Sequence, residues 1–268
     1  MRVSQLSRSL GETNVISSDE HESDPVVKSA GRVLKILELF DILRREAPVS
    51  EVSSLLHMPQ SSTSILLRSM VVLGYLQFNP ESRMFKPTTR VALLGSWING
   101  PMISDGRLMQ LMERINARTS MSVVLAARNR VWSEYIHVVQ SPNPVRLFMV
   151  KGSRRPLVRS GTGLALLAGL SDPEIKRIVI RTNDEAGRNG QQVGISTLME
   201  QVVQTRQNGW AFTFDTITKG GGMIAMRLPM LENNEELVLG LAGRTQQLKD
   251  NLEEYLTVMR EEIARKLA

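Results

Sequence analysis

Three observations predict an α+β protein made of two folded units. Apolar residues recur at helical spacing from Val27 to about Gly74, then give way to two short strand-like runs. Beyond Ser122 the period becomes that of strands, with helical stretches interleaved. The intervening stretch, 91–118, carries helical spacing over part of its length. With 268 residues, 42% of them apolar, the chain can build two ordinary cores.

Charge is distributed unevenly. Residues 1–27 hold two basic and five acidic groups, net −3, whereas 28–90 are net +4 and the remainder net +5. Residues 1–26 are polar and aperiodic and read as a flexible acidic tail. The overall balance of +6 suits a polyanionic partner. With no cysteine, disulfides, a thiolate nucleophile and Cys-ligated metal centres are excluded. His21, His57 and His137 follow no metal-ligand spacing, and no cofactor is expected. No apolar run is long enough for a bilayer, and the first residues lack a secretion signal, so a cytoplasmic location without membrane contact is expected.

Within 27–90, Val33, Leu34, Ile36, Leu37 and Phe40 define the face of a helix that ends before Pro48. Ser50 is placed to cap a second helix whose buried side is Val52, Leu55 and Leu56. His57-Met58-Pro59 breaks that helix, since proline disfavours helical geometry before it. A third helix runs from Gln60 to Leu73, with Thr63, Leu66, Leu67 and Met70 inward, and Gly74 terminates it. YLQFN and RMFKPT form a hairpin around Pro80-Glu81-Ser82. Three helices, a tight turn and a hairpin make a winged helix-turn-helix.

This arrangement explains the polar front of the third helix, MPQSSTSILLRSM. A recognition helix enters the major groove with its first turns outward, and short hydroxyls let backbones approach. Gln60, Ser61, Ser62, Ser64, Ile65 and Arg68 are the candidate DNA-contacting residues, with Ser50 beside them and Arg83 and Lys86 on the wing. Gln60 suits an adenine edge or a phosphate; Ile65 suits a thymine methyl, or equally packs against the first helix. Serines that merely face water, or a winged domain used for protein docking, are the alternatives.

In the linker, a helix is expected from about Pro101 to Ala117, on the recurrence of Ile103, Leu108, Leu111, Met112 and Ile115. In 119–268, SVVLAAR, VWSEYIHVV and VRLFMV read as strands. Helices follow from Thr162, near Pro173 and over 197–208, with a polar loop at 181–195. GWAFTF, MIAMRLP and LVLGLAG are further strands, and a helix over 248–267 closes the chain. Strands backed by helices give an α/β unit.

Between Tyr135 and Ser171 lie Arg146, Lys151, Arg154, Arg155 and Arg159 and no acid. The turn Ser160-Gly161-Thr162-Gly163 follows, offering backbone N–H groups to an anion. Arg154 and Arg155 are candidate carboxylate ligands, and Trp132, Phe148, Phe212, Phe214, Met223 and Met226 candidate apolar lining for a partly apolar, anionic effector. The same arginines also fit a solvated face or a subunit contact. No serine has nucleophile-elbow context, and the glycine runs match neither a Walker loop nor a dinucleotide fingerprint, so no enzyme is expected.

VKSAGRVLKILELF, VSEVSSLLHMPQSSTSILLRSMVVLGYL and FKPTTRVALLG, then MSVVLAARNR through SGTGLALLAGL, GWAFTF and ELVLGLAGRTQQL, resemble the IclR family of bacterial transcriptional regulators. The likeness covers about residues 27–267. It implies a GAF-like effector-binding domain, a homodimer or dimer of dimers on a near-palindromic double-stranded operator, and an organic or aromatic acid as effector. The linker helix would then carry effector-driven rearrangement to the reader. A typical member carries a basic or imidazole-bearing pair in mid recognition helix; the matching residues here are Ser64 and Ile65. That departure sustains an alternative, a protein-interaction module with degraded or nonspecific DNA readout.

Overall fold

Helix α1, Lys28–Leu43, ends where Arg44 turns left-handed and its N–H donates to the Phe40 carbonyl at 2.9 Å. The computed structural model describes residues 27–94, 105–187, 191–229 and 235–267, which form two compact units dividing between Trp97 and Ile98. The α1 face that packs is Ile36, Leu39 and Phe40; Leu34, expected inward, is 61% exposed. Leu34 lies a third of a turn or more from the axis of the buried stripe, and the broad apolar spread of α1 concealed this.

Helix α2, Val49–Leu55, starts two residues earlier than expected, with Pro48 at its N-cap and no side-chain cap. Ser50 therefore lies inside the helix and does not cap it. The role of organising this start falls to Glu51, whose carboxylate receives Arg45 Nη1 at 3.0 Å and Nη2 at 2.5 Å. Those hydrogen bonds hold the Glu51 carboxyl below its ordinary range. The turn to α3 passes through His57, with φ of 50°, and is tied by Ser53 Oγ donating to the Met58 carbonyl at 2.7 Å.

Helix α3, Gln60–Val72, buries Thr63, Leu67 and Met70. It stops in a Schellman arrangement: Tyr75 N–H donates to Met70 O and Gly74 N–H to Val71 O, each at 2.9 Å, with Gly74 at φ of 79°. The hairpin β1, Leu76–Asn79, and β2, Met84–Pro87, pairs antiparallel, and the Asn79 side chain accepts the Glu81 N–H at 2.9 Å within its turn. Ala47 joins this wing by exchanging two backbone hydrogen bonds with Phe85. A short helix α4, Thr89–Leu93, follows.

In the second unit, helix α5 spans Arg107–Thr119 and buries Leu108, Leu111, Met112 and Ile115. It begins after Gly106, at φ of 74°, so the helix expected from Pro101 starts later; 101–104 lie outside the described residues. The strands are β3 (Ser122–Asn129), β4 (Trp132–Val139), β5 (Arg154–Pro156), β6 (Ala211–Phe214), β7 (Gly221–Arg227) and β8 (Leu237–Arg244). They form one antiparallel sheet in the order β5-β4-β3-β8-β7-β6. Helices α6 (Gly161–Leu167), α7 (Asp172–Ala186) and α8 (Ile195–Asn208) share a core with one face. Helices α5, α9 (Thr245–Asp250) and α10 (Leu252–Leu267) share a core with the other.

Three expectations are corrected here. Residues 145–150 are not a strand: the Gln140 side chain takes up both the N–H and the carbonyl of Met149, and the edge of β4 is met instead by Gly152 and Ser153. The polar stretch at 181–195 is helical as far as Ala186, because a capping box at Ser171 and Glu174 starts α7 and Ile175, Ile178 and Val179 anchor it. The closing helix is two, broken at Asn251.

Candidate DNA-reading face and effector site

On α3 the buried residues occupy one side, which turns Ser61, Ile65 and Arg68 to the opposite one, with half-buried Ser64 at its margin. At 3.6 residues per turn these four fall within about 100° of arc. Gln60 is exposed at the edge of that strip, and Ser62, half-buried, lies away from it. Ile65 is 67% exposed, so it does not pack against α1. No side chain caps the start of α3, and the helix carries no acid. Thr63 and Ser69 direct their hydroxyls to the backbone carbonyls four residues back, of Pro59 and Ile65, at 3.0 and 2.9 Å. Arg83 lies at the tip of the wing in a left-handed conformation and Lys86 on β2, both exposed; Ser50 is exposed on α2.

In the second unit the alternation of strands sorts the candidate effector residues onto two faces. Met223 belongs to the core shared with α6, whereas Met226, three residues on, belongs to the core shared with α5 and α10. Phe212 packs on that second side, and Phe214 lies beside it with ring centroids 5.7 Å apart and Lys249 Nζ 3.9 Å from its own centroid. One pocket cannot be lined by Met223 together with Met226, Phe212 and Phe214. Phe148 is half-exposed with the Arg146 guanidinium 6.0 Å from its centroid, and Trp132 packs against the α6-side core.

The arginines separate likewise. Arg154 Nε lies 3.4 Å from the Glu134 carboxylate, and Arg159 binds Gln191. Arg155, opposite Ser133 in register, places its guanidinium 5.6 Å from the Tyr135 ring centroid. There two candidates from the sequence, Arg155 and Thr162, meet Ser133 and Tyr135, which sequence reading did not single out. Ser133 Oγ donates to Thr162 Oγ1 at 2.8 Å, beside the buried Tyr135, whose ring the Arg155 guanidinium approaches. Burial pushes the Tyr135 phenol above its usual pKa, with the Arg155 charge acting against it. The only sequence signal was the two-residue spacing of Ser133 and Tyr135, which marks one strand face but not what it meets.

The Ser160-Gly161-Thr162-Gly163 turn is buried, with Ser160 Oγ accepting the Gly163 N–H at 3.1 Å. Its glycines answer first to packing. A Cβ on Gly163 would lie 2.2 Å from the Leu157 carbonyl oxygen, and one on Gly161 would lie 2.9 Å from Thr213 Oγ1 and 3.0 Å from Met223 Cγ. A separate concavity of about 440 Å³, lined by Arg118, Glu253, Glu254, Thr257 and Val258, belongs to α5 and α10 on the other side of the sheet. Its arginine is already engaged by Glu261 and Glu262, so its polar groups do not converge on a vacant point. Among the described residues, no cluster of acids and histidines is arranged for a metal, and no helix is long and apolar enough to cross a membrane.

Residues 29–80 match the IclR helix-turn-helix domain, and 107–268 the bacterial transcriptional regulator IclR C-terminal domain. The HTH-type transcriptional regulator XynR of Escherichia coli K12 is 21% identical over 226 residues, covering 84% of this chain and 90% of XynR. KdgR of the same organism is 24% identical over 242 residues, covering 87% and 90%. The crystal structure of an IclR transcriptional regulator from Alicyclobacillus acidocaldarius aligns over 90% of this chain and 98% of its own, with a TM-score of 0.60 at 20% identity. An IclR homolog from Microbacterium hydrocarbonoxydans, complexed with 4-hydroxybenzoate, aligns over 88% and 96%, with a TM-score of 0.61 at 18% identity. These relatives are transcriptional regulators, not enzymes. With a helix-turn-helix ahead of an α/β effector-type domain, and a C-terminal domain match spanning more than half its length, the chain belongs to the IclR family of bacterial transcriptional regulators.

Proposed function

We propose that this regulator binds a near-palindromic double-stranded operator as a homodimer, or a dimer of dimers, in the cytoplasm. Residues 27–90 act as reader and 119–268 as sensor, joined by 91–118. Gln60, Ser61, Ser64 and Ile65 read the major groove, while Arg68, Arg83 and Lys86 reach the adjoining backbone. The observation that carries this reading is the acid-free polar strip turned outward along α3.

Selection of bound sequences from a random duplex pool tests it: a discrete palindromic site is the expected result. Uniform attachment to any duplex, abolished at moderate salt, would leave a protein-interaction module with nonspecific readout. Once the operator is defined, Arg68→Ala should weaken binding roughly tenfold, the scale of one charge-assisted hydrogen bond. It should also flatten the salt dependence by about 0.9 in log–log slope for each phosphate that is no longer neutralised. An unaltered slope in a fluorescence-anisotropy titration would place Arg68 off the DNA backbone.

The sensor takes an organic anion, an aromatic or aliphatic carboxylate, at the α6 face of the sheet. Arg155 supplies the charge, and Tyr135, Thr162 and Ser133 supply hydrogen-bonding hydroxyls. The 4-hydroxybenzoate held by the Microbacterium homolog supports this class of ligand. The bound anion shifts operator affinity only through unequal affinity for two conformations of the dimer. Arg155→Met should weaken a responsive carboxylate roughly 10- to 100-fold by calorimetry while leaving effector-free operator binding intact. Carboxylate affinity unchanged within twofold would remove Arg155 from the site.

A further inference from the structure

We infer that Ile65 recognises the 5-methyl group of a thymine in each operator half-site, an inference that rests on the operator-binding reading above. Ile65 stands on the outward strip of α3 with two-thirds of its surface in water, at 67% exposure. Its neighbours on that face are Ser61 one turn before, Ser64 beside it and Arg68 three residues on. The two serines are too short to cover it, so the branched end of Ile65 projects beyond them. A β-branched side chain in a helix is held in one strongly preferred χ1 rotamer, so the projecting group has a fixed direction.

The surrounding hydroxyls narrow the chemistry further. Thr63 and Ser69 donate to the Pro59 and Ile65 carbonyls, so neither competes for what Ile65 meets. An apolar side chain at this point cannot satisfy a base donor or acceptor and would strand one if pressed against it. The major-groove edges of the four base pairs offer a single apolar feature, the thymine C5-methyl. Matching the two removes both from water without leaving a polar group unpaired.

Deoxyuridine tests this directly, because it lacks the methyl and keeps every hydrogen-bonding group of thymine. Full-length protein is titrated against its selected operator, with thymines replaced one symmetric pair at a time. One pair should weaken binding about fourfold per half-site, the scale of burying one methyl-sized group. Ile65→Ala, at an exposed helical position where alanine is well tolerated, should bind the thymine and deoxyuridine operators equally. The inference is overturned if no pair responds in the wild-type protein, if the operator contains no thymine, or if Ile65→Ala keeps the methyl preference. Failure to recover any discrete operator is a different result; it removes the operator-binding reading and this inference with it.

Discussion

Leu67→Ala is expected to destabilise the reader strongly while leaving the sensor unaffected. Leu67 is fully buried on the inner side of α3, in the same core as Ile36, Leu39, Phe40, Val52 and Phe85. Removing a buried leucine side chain costs about 2–5 kcal/mol, the spread reflecting how far the site can collapse. The described part of the reader is small, and small units bury a lesser fraction of their surface, so such a loss takes much of their stability. At about 3 kcal/mol, amides in α1 to α3 that exchange through global opening should do so roughly a hundredfold faster. Hydrogen exchange followed by mass spectrometry reads this element by element. Protection in β3 and β8 should be unchanged, because Leu67 has no part in either sensor core. Unaltered protection in α1 to α3 would mean the inner face of α3 does not hold the reader together.

Gly163→Ala produces the corresponding failure in the sensor. The added methyl would sit 2.2 Å from the Leu157 carbonyl oxygen and 2.5 Å from Leu157 Cα, both backbone atoms that cannot rotate aside. Forcing atoms into a well-packed site costs typically 1–3 kcal/mol and more where nothing yields, and here the strand-to-helix turn itself must move. That displacement carries Thr162 away from Ser133 and Tyr135. The expected result is a sensor destabilised by about 3 kcal/mol or more that no longer responds to a carboxylate. Chemical denaturation monitored through Trp132, which packs against this core, checks the stability. A shift of less than about 0.5 kcal/mol would show that the β5–α6 turn accommodates a side chain, and the packing account of this glycine would fail.

Much of the reader was legible because its signals are local. Pro59 marks the start of α3, Gly74 accepts the left-handed geometry that ends it, and the helical spacing of Thr63, Leu67 and Met70 names the inner face, whereas the start of α2 was misplaced at Ser50. The sensor was legible at the level of its elements and not of its site. Arg154 and Arg155 are adjacent in sequence, yet one pairs with Glu134 and the other reaches Tyr135. Met223 and Met226 likewise differ by an odd number of residues on one strand and enter opposite cores.

By itself, the sequence determined the order and type of most elements, the inner side of α3, and the absence of thiol chemistry, since each depends on residues within a few positions of one another. Only tertiary structure decided which strand neighbours which, that 145–150 is held by Gln140 and not by a strand ladder, that Ile65 faces outward, and that Ser133, Tyr135, Arg155 and Thr162 meet. The reason is physical: pairing β3 with β8, more than a hundred residues apart, is settled by burying both sheet faces together. A one-residue change of register would reverse every side chain that the site employs.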